Sequence, residues 1–146
     1  AWFSLQKGNA AAQAAAWPQL LDYSDEWQDF ADTAALVAQL DLVITVDTAM
    51  AHLSAALGKP TWVLSRFDAC WRWLDGRSDS PWYPKTRLFR QPQRGDWETP
   101  VAELAIEVED DQYGDLADRY SDDEDEPLYV FADPAGHPFC VFAEAA

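Results

Sequence analysis

The sequence is poor in the residues on which several classes of protein depend. Among 146 residues there are two cysteines, Cys70 and Cys140, too few for a disulfide scaffold and without the spacing of a metal site. Basic residues are scarce as well, ten Lys and Arg against 26 Asp and Glu, which gives a net charge of −16. This charge excludes sequence-independent binding to nucleic acid or to an anionic membrane surface.

Long apolar runs are also missing. No run approaches the ~20 residues that span a bilayer, and no basic-then-apolar signal segment opens the chain. We therefore predict a reduced, cytoplasmic protein with no membrane insertion. The chain begins with Ala1 inside a strand-like run, so we expect a fragment or an excised domain.

The acidic residues that are present divide the chain into two parts. Residues 1–100 carry nine basic and twelve acidic side chains, whereas 101–146 carry one and fourteen. A dense acidic block stays solvated, and the two apolar runs after it flank an Asp-Pro-x-Gly turn sequence, as in a β-hairpin. We predict three segments: a folded domain over 1–104, an acidic linker over 105–127 and a hairpin tail over 128–146.

Apolar runs predict strands over 2–6, 42–46 and 61–64. The middle run has no polar alternation, which is typical of a parallel strand covered on both faces. Helical composition is found at 9–16, at 33–40 after an N-cap at Asp32 or Thr33, and at 49–57 before a C′ glycine at Gly58. Strand–helix–strand units cross over in the right-handed sense. We therefore predict a Rossmann-like three-layer α/β domain in which these strands share one parallel sheet.

Polar residues follow the buried strand where it meets the next helix. Asp47 and Thr48 lie at the carboxyl end of strand 42–46, the edge at which ligands bind open α/β sheets, and a helix N-terminus attracts phosphate. His52 is four residues after Thr48 and shares its helix face. A plain helix cap with a half-buried histidine explains the same residues, and the sequence leaves both interpretations open. Gln6 and Lys7 follow the first strand as Asp47 and Thr48 follow the strand 42–46. They either contact the same ligand or form a plain turn with an exposed lysine.

The segment 66–83 is dense in Trp, Arg and Asp. It predicts either aromatic and guanidinium faces that contact a base or a sugar ring, or a segment that covers the sheet edge or packs against a missing neighbour. We favour the second interpretation. No Gly-rich phosphate loop, paired carboxylates or nucleophile–base pair can be assigned.

Four stretches carry a resemblance to a known family: Trp2 to Gly8, Asp29 to Leu36, Leu40 to Pro60, and Ser80 to Trp97. Through them, residues 2–104 resemble the carboxyl-terminal half of bacterial tetratricopeptide-containing glycosyltransferases, close to the lipopolysaccharide heptosyltransferases. The resemblance implies a GT-B enzyme whose carboxyl-terminal half binds a nucleotide-diphosphate sugar and whose amino-terminal half binds the acceptor and supplies the catalytic base.

Residue by residue, the resemblance makes Gln6 and Lys7 contacts to the diphosphate or base. It makes Asp47, Thr48 and Ala49 the phosphate-binding turn, with His52 near phosphate or ribose. Heptosyltransferases usually have glycine where Ala49 stands. No catalytic residue is assigned, because the resemblance places the catalytic base in the other half of the enzyme. No cofactor is implied, since the nucleotide-sugar is the substrate, and no metal is needed if the protein itself stabilises the leaving diphosphate.

The tail has a resemblance of its own, since residues 128–142 are similar to the terminal hairpin of glyoxalase/bleomycin-resistance domains. We predict that the chain binds a nucleotide-sugar donor for glycosyl transfer and that its acceptor domain lies elsewhere. The alternative is a non-catalytic acidic protein whose tail binds a basic partner or mimics nucleic acid.

Overall fold

Parallel strands form the centre of the domain. The computed structural model describes residues 1–110, 131–132 and 138–139. Its first five strands are β1 (Trp2–Ser4), β2 (Leu20–Asp22), β3 (Val43–Val46), β4 (Thr61–Ser65) and β5 (Thr86–Arg90). They form two parallel sheets, ordered β1-β2 and β3-β4-β5.

Helical segments connect and flank these strands. The α-helices are α1 (Phe30–Val37), α2 (Ala49–Ala56) and α3 (Glu98–Asp110), and the 3-10 helices are Asn9–Ala16, Ser24–Glu26 and Trp71–Trp73. Parallel sheets flanked by helices confirm the predicted α/β, Rossmann-like class.

Side-chain alternation along β3 divides the core into two faces. Ile44 packs in one apolar cluster with Leu104 of α3, whereas Val43 packs in another with Val37 of α1. Successive strand residues point to opposite faces, so the helices lie on both sides of the sheet. The result is a three-layer arrangement.

The prediction that strand 2–6 shares a sheet with 42–46 is wrong in its pairing. β1 pairs with β2, a strand that the sequence did not predict. Nevertheless Trp2 packs against the α3-side cluster and Phe3 against the α1-side cluster, so β1 is sandwiched between the same two layers. Three-residue strands give too little periodicity to predict which strand they pair with.

Two helix predictions also need correction. The alanine-rich segment 9–16 is a 3-10 helix, because short alanine side chains offer no large apolar face that would select an α-helix by packing. α1 begins at Phe30 rather than at 33, because its N-cap is Asp29 instead of Asp32 or Thr33. Asp29 and Asp32 form a reciprocal capping box, in which each carboxylate accepts a hydrogen bond from the backbone N–H of the other residue.

The end of α2 is as predicted. Gly58 has φ +74°, in the left-handed region that glycine tolerates. Its N–H donates to the Ala55 carbonyl at 3.0 Å, and the N–H of Lys59 donates to the Ser54 carbonyl at 3.1 Å. These two bonds define a Schellman motif.

α3 extends through position 104, where we placed the end of the folded domain. It starts after Asp96, whose carboxylate accepts from the backbone N–H of Thr99 at 3.1 Å. Beyond α3, β6 (Phe131–Ala132) and β7 (Pro138–Phe139) pair antiparallel. The rest of the predicted linker and hairpin, with its turn, lies outside the described residues.

Candidate anion-binding site

The turn between β3 and α2 presents polar groups at the carboxyl edge of the sheet. Thr48 is the N-cap of α2, and its Oγ1 accepts from the backbone N–H of Met50 at 3.3 Å. The same Oγ1 lies 3.4 Å from Oγ1 of Thr45. Thr48 and Ala49 are both exposed. The positive end of the α2 dipole is therefore open to a ligand.

The structure brings Asp47 and His52 together at this turn. Nε2 of His52 lies 3.9 Å from Oδ1 of Asp47, and both side chains are partly exposed, at 31% and 21% respectively. Asp47 immediately precedes the N-cap of α2 and His52 lies in the first turns of that helix, so the local path of the chain brings the two side chains together. We call the group formed by Asp47, Thr48, Ala49 and His52 the β3–α2 site.

Two aromatic residues from the segment 66–83 hold the histidine. The rings of His52 and Trp73 are stacked, with centroids 5.0 Å apart and planes 7° from parallel. The hydroxyl of Tyr83 lies 3.2 Å from Nδ1 of His52. Trp73 is fully buried in a cluster with Val63 and Leu88. Its indole is therefore held in place by the core, and it supports the imidazole that stacks on it.

Arg90, at the end of β5, ties this segment to the sheet. Its guanidinium donates to the carbonyls of Trp73 at 2.6 Å, Leu74 at 2.9 Å and Arg77 at 2.8 Å. Burial lowers the pKa of Arg90 from its usual value. This role is not among those predicted from the sequence, although a basic residue at the end of a buried strand is a signal for it.

The favoured interpretation of segment 66–83 as a cover therefore describes part of it. Trp73 covers the sheet, and Tyr83 reaches the β3–α2 site, whereas Trp71 and Trp82 are exposed at 71% and 58%. The guanidinium of Arg72 lies 5.1 Å from the ring centroid of Trp71.

Lys7 and Gln6 lie at the turn after β1. Nζ of Lys7 donates to the carbonyl of Trp27 at 2.5 Å and lies 6.0 Å from the centroid of that indole. The backbone N–H of Gln6 donates to Oγ of Ser4 at 3.4 Å. Among the described residues, no hydrogen bond or ion pair joins Lys7 to the β3–α2 site.

The two turns nevertheless border one apolar cluster. Leu5, just before Gln6, packs there with Trp27, and Met50 from the first turn of α2 packs against the same cluster. β1 and β3 belong to different sheets, so strand pairing does not bring the two turns together. Lys7 and Thr48 thus lie at turns that border the same cluster, in separate local environments.

The described part of the chain contains neither a cluster of metal ligands nor a helix that could span a membrane. No group of three or more His, Cys, Asp and Glu residues there could hold a metal ion. No helix among those residues is long and apolar enough to cross a membrane. Cys70, the described cysteine, is a free thiol.

Comparison with known proteins supports the heptosyltransferase-like part of the resemblance. Residues 28–64, about a quarter of the chain, match the model of glycosyltransferase family 9 (heptosyltransferase). Among curated proteins, Protein FlbA of Caulobacter vibrioides is 38% identical over 82 residues, which are 56% of this chain and 13% of that protein. The chain thus spans a small part of its curated relative's length. No solved structure matches the chain.

The family match coincides with the site. It runs from just before α1 through β3 and α2 into β4, so it includes the whole β3–α2 site, whereas Gln6 and Lys7 lie outside it. This relates the chain to GT-B heptosyltransferases and to glycosyl transfer. The tetratricopeptide and glyoxalase resemblances stay predictions.

Proposed function

We propose that this chain binds a nucleotide-diphosphate sugar at the β3–α2 site and serves as the donor half of a glycosyltransferase. The observation that carries the proposal is the exposed, Thr48-capped N-terminus of α2 inside the segment that matches glycosyltransferase family 9. Backbone amides at a helix N-terminus and the helix dipole favour a phosphate group at that position. Asp47 and His52 then border the bound diphosphate.

Transfer of the sugar leaves negative charge on the departing diphosphate. Groups that stabilise this charge in the transition state lower the barrier. The amino end of α2 supplies a fixed partial positive charge, and Lys7 supplies a mobile cation from the neighbouring turn. To reach the ligand, Lys7 exchanges the carbonyl of Trp27 for a phosphate oxygen, a stronger charge-assisted acceptor.

In this proposal, the domain that binds the acceptor is another part of the protein. The alignment with Protein FlbA covers 13% of that protein, so the segments that bind an acceptor and supply a catalytic base are expected outside the described domain. The chain alone is then a donor-binding unit, and binding is the property to measure.

Calorimetric titration with UDP-, ADP- and GDP-sugars tests the proposal. We expect one of these classes to bind, and Lys7→Met to weaken its affinity roughly tenfold, as expected for a lost charge-assisted bond. Lys59→Met is the matched control, because Lys59 follows the opposite end of α2. Absence of heat with all three classes would reject the proposal.

A further variant separates donor binding from the acidic-interaction alternative. A chain ending at Asp110 keeps all of α3 and lacks the acidic residues that follow. Donor binding should survive this truncation, because the β3–α2 site and its supporting segment lie before α3. Loss of a salt-sensitive complex with a basic protein, in a chain that binds no nucleotide-sugar, would favour the alternative instead.

A further inference from the structure

His52 is held on three sides by groups from three parts of the chain. Tyr83 places its hydroxyl 3.2 Å from Nδ1, Trp73 stacks on the ring face at 5.0 Å, and Asp47 places Oδ1 3.9 Å from Nε2. The stacked indole restricts the plane of the imidazole, and the hydroxyl and carboxylate restrict its rotation within that plane. The ring nitrogens therefore face different chemical groups.

These neighbours determine which nitrogen of a neutral ring carries the proton. The carboxylate of Asp47 is an acceptor only, so a lone pair on Nε2 would face negative charge, whereas an N–H at Nε2 would be attracted to it. The hydroxyl of Tyr83 can donate, so it satisfies a lone pair on Nδ1. Both neighbours favour the tautomer with the proton on Nε2.

The N–H at Nε2 retains capacity for a ligand. A separation of 3.9 Å exceeds a direct hydrogen bond, so Asp47 orients this N–H without satisfying it. A phosphate oxygen at the β3–α2 site would be a suitable acceptor, and the neutral imidazole would donate to it without first gaining a proton.

We infer that Tyr83 is a positioning residue of the β3–α2 site: its hydroxyl holds His52 in the tautomer that donates from Nε2 to a phosphate group of the donor. This inference rests on the proposed function and adds a residue outside the segment that matches the family model. The backbone supports the role, since the carbonyl of Tyr83 accepts from the N–H of Thr86 at 3.0 Å, which anchors Tyr83 beside the start of β5.

The tautomer can be measured without any ligand. The chain has two histidines, so His137→Gln leaves His52 as a single reporter. In a neutral imidazole, the 15N resonances of the two ring nitrogens distinguish the tautomers. We expect a single tautomer with the proton on Nε2, and a mixture closer to that of free histidine in Tyr83→Phe.

The binding measurement uses Tyr83→Phe in the full chain. Tyr83→Phe keeps the ring that contacts Trp73 and removes only the hydroxyl. We expect its affinity for the nucleotide-sugar to fall about fivefold, the effect of one neutral hydrogen bond. Tyr23→Phe is the matched control, because Tyr23 is exposed and stacks on Phe3, away from His52.

The outcomes separate the two proposals. An unchanged tautomer, or unchanged affinity, in Tyr83→Phe while wild-type protein binds donor would overturn the role of Tyr83 and leave the proposed function standing. Absence of donor binding in the wild type would overturn the proposed function and, with it, the phosphate contact of His52. A tautomer change together with weaker binding in Tyr83→Phe, and neither change in Tyr23→Phe, supports the inference.

Discussion

The turns after β1 and β3 border the same apolar cluster, and a nitrogen-containing side chain in or just after each turn lies against a buried tryptophan. Lys7 lies 6.0 Å from the ring centroid of Trp27, and His52 lies 5.0 Å from that of Trp73. The lysine is exposed and has a backbone carbonyl as its partner. The histidine is stacked on its tryptophan and has the Tyr83 hydroxyl at Nδ1, while Nε2 faces Asp47 beyond hydrogen-bond distance.

The segments that follow the two turns differ as well. The turn after β3 leads into an α-helix with a threonine N-cap and a Schellman end, whereas the turn after β1 leads into a 3-10 helix whose N-cap, Gly8, offers no side-chain bond. A preorganised site loses less entropy when a ligand binds. The β3–α2 site is thus preorganised, and Lys7 is adaptable.

Removing the supporting tryptophans gives the largest expected effect. Trp73→Ala should lower the free energy of unfolding by roughly 3–5 kcal/mol, because it leaves a cavity in the core. Trp27→Ala should cost less than this, since Trp27 is 8% exposed and Trp73 is fully buried. Urea unfolding measures both. Trp71→Ala, at an exposed indole, is the control with little change. A larger loss for Trp27→Ala would reverse the comparison.

Arg90→Met should have the next largest effect. It keeps much of the side-chain stem but removes the donors to three carbonyls, which we expect to cost about 2 kcal/mol. Hydrogen exchange should show faster opening of segment 73–77, on which the β3–α2 site depends and the turn after β1 does not. Arg90→Lys keeps the charge without the planar guanidinium. Wild-type stability in that variant would therefore contradict the stabilising role of the three hydrogen bonds.

The N-cap of α2 has a smaller effect. Thr48→Ala should lower stability by about 1 kcal/mol, because the N–H of Met50 loses its side-chain acceptor. Thr48→Asp should retain the cap, and the pair is compared by thermal or urea unfolding. Equal stability of Thr48→Ala and wild type would mean that the helix start is not preorganised by its cap.

The smallest expected effect is a pH dependence of stability that comes from segment 66–83, which also contains the residues that contact His52. Arg77 donates to Asp79 and holds the pKa of that carboxyl below its usual range. Because the pKa of Asp79 is lowered in the folded protein, the ion pair contributes its full stabilisation above the ordinary aspartate pKa. This stabilisation is lost as pH falls through the lowered pKa. Both groups are exposed, so added salt should weaken it. A difference between wild type and Asp79→Asn that does not shrink at low pH would contradict this.

The sequence predicted the framework where composition and local chemistry agree. The β-branched run at 42–46 is a buried parallel strand, a polar residue directly after it caps α2, and Gly58 ends that helix, because each of these features depends on residues within one or two turns of the chain. The segment 9–16 is helical but of the 3-10 type, because its alanines offer no large apolar face, and the predicted start of α1 was wrong because two capping signals competed. At α1, the capping box of Asp29 and Asp32 was stronger than a cap at Asp32 or Thr33.

The sequence by itself therefore determined the α/β class, the buried strand and the polar turn at its end, because burial pattern and capping are local properties of the chain. Only the tertiary structure decided what surrounds His52. Trp73 and Tyr83 are 21 and 31 residues away from it in the sequence, and their contact depends on the path of segment 66–83 and on the carbonyls that Arg90 binds. Contacts between distant residues leave no periodic signal, so folding is what brings these groups together.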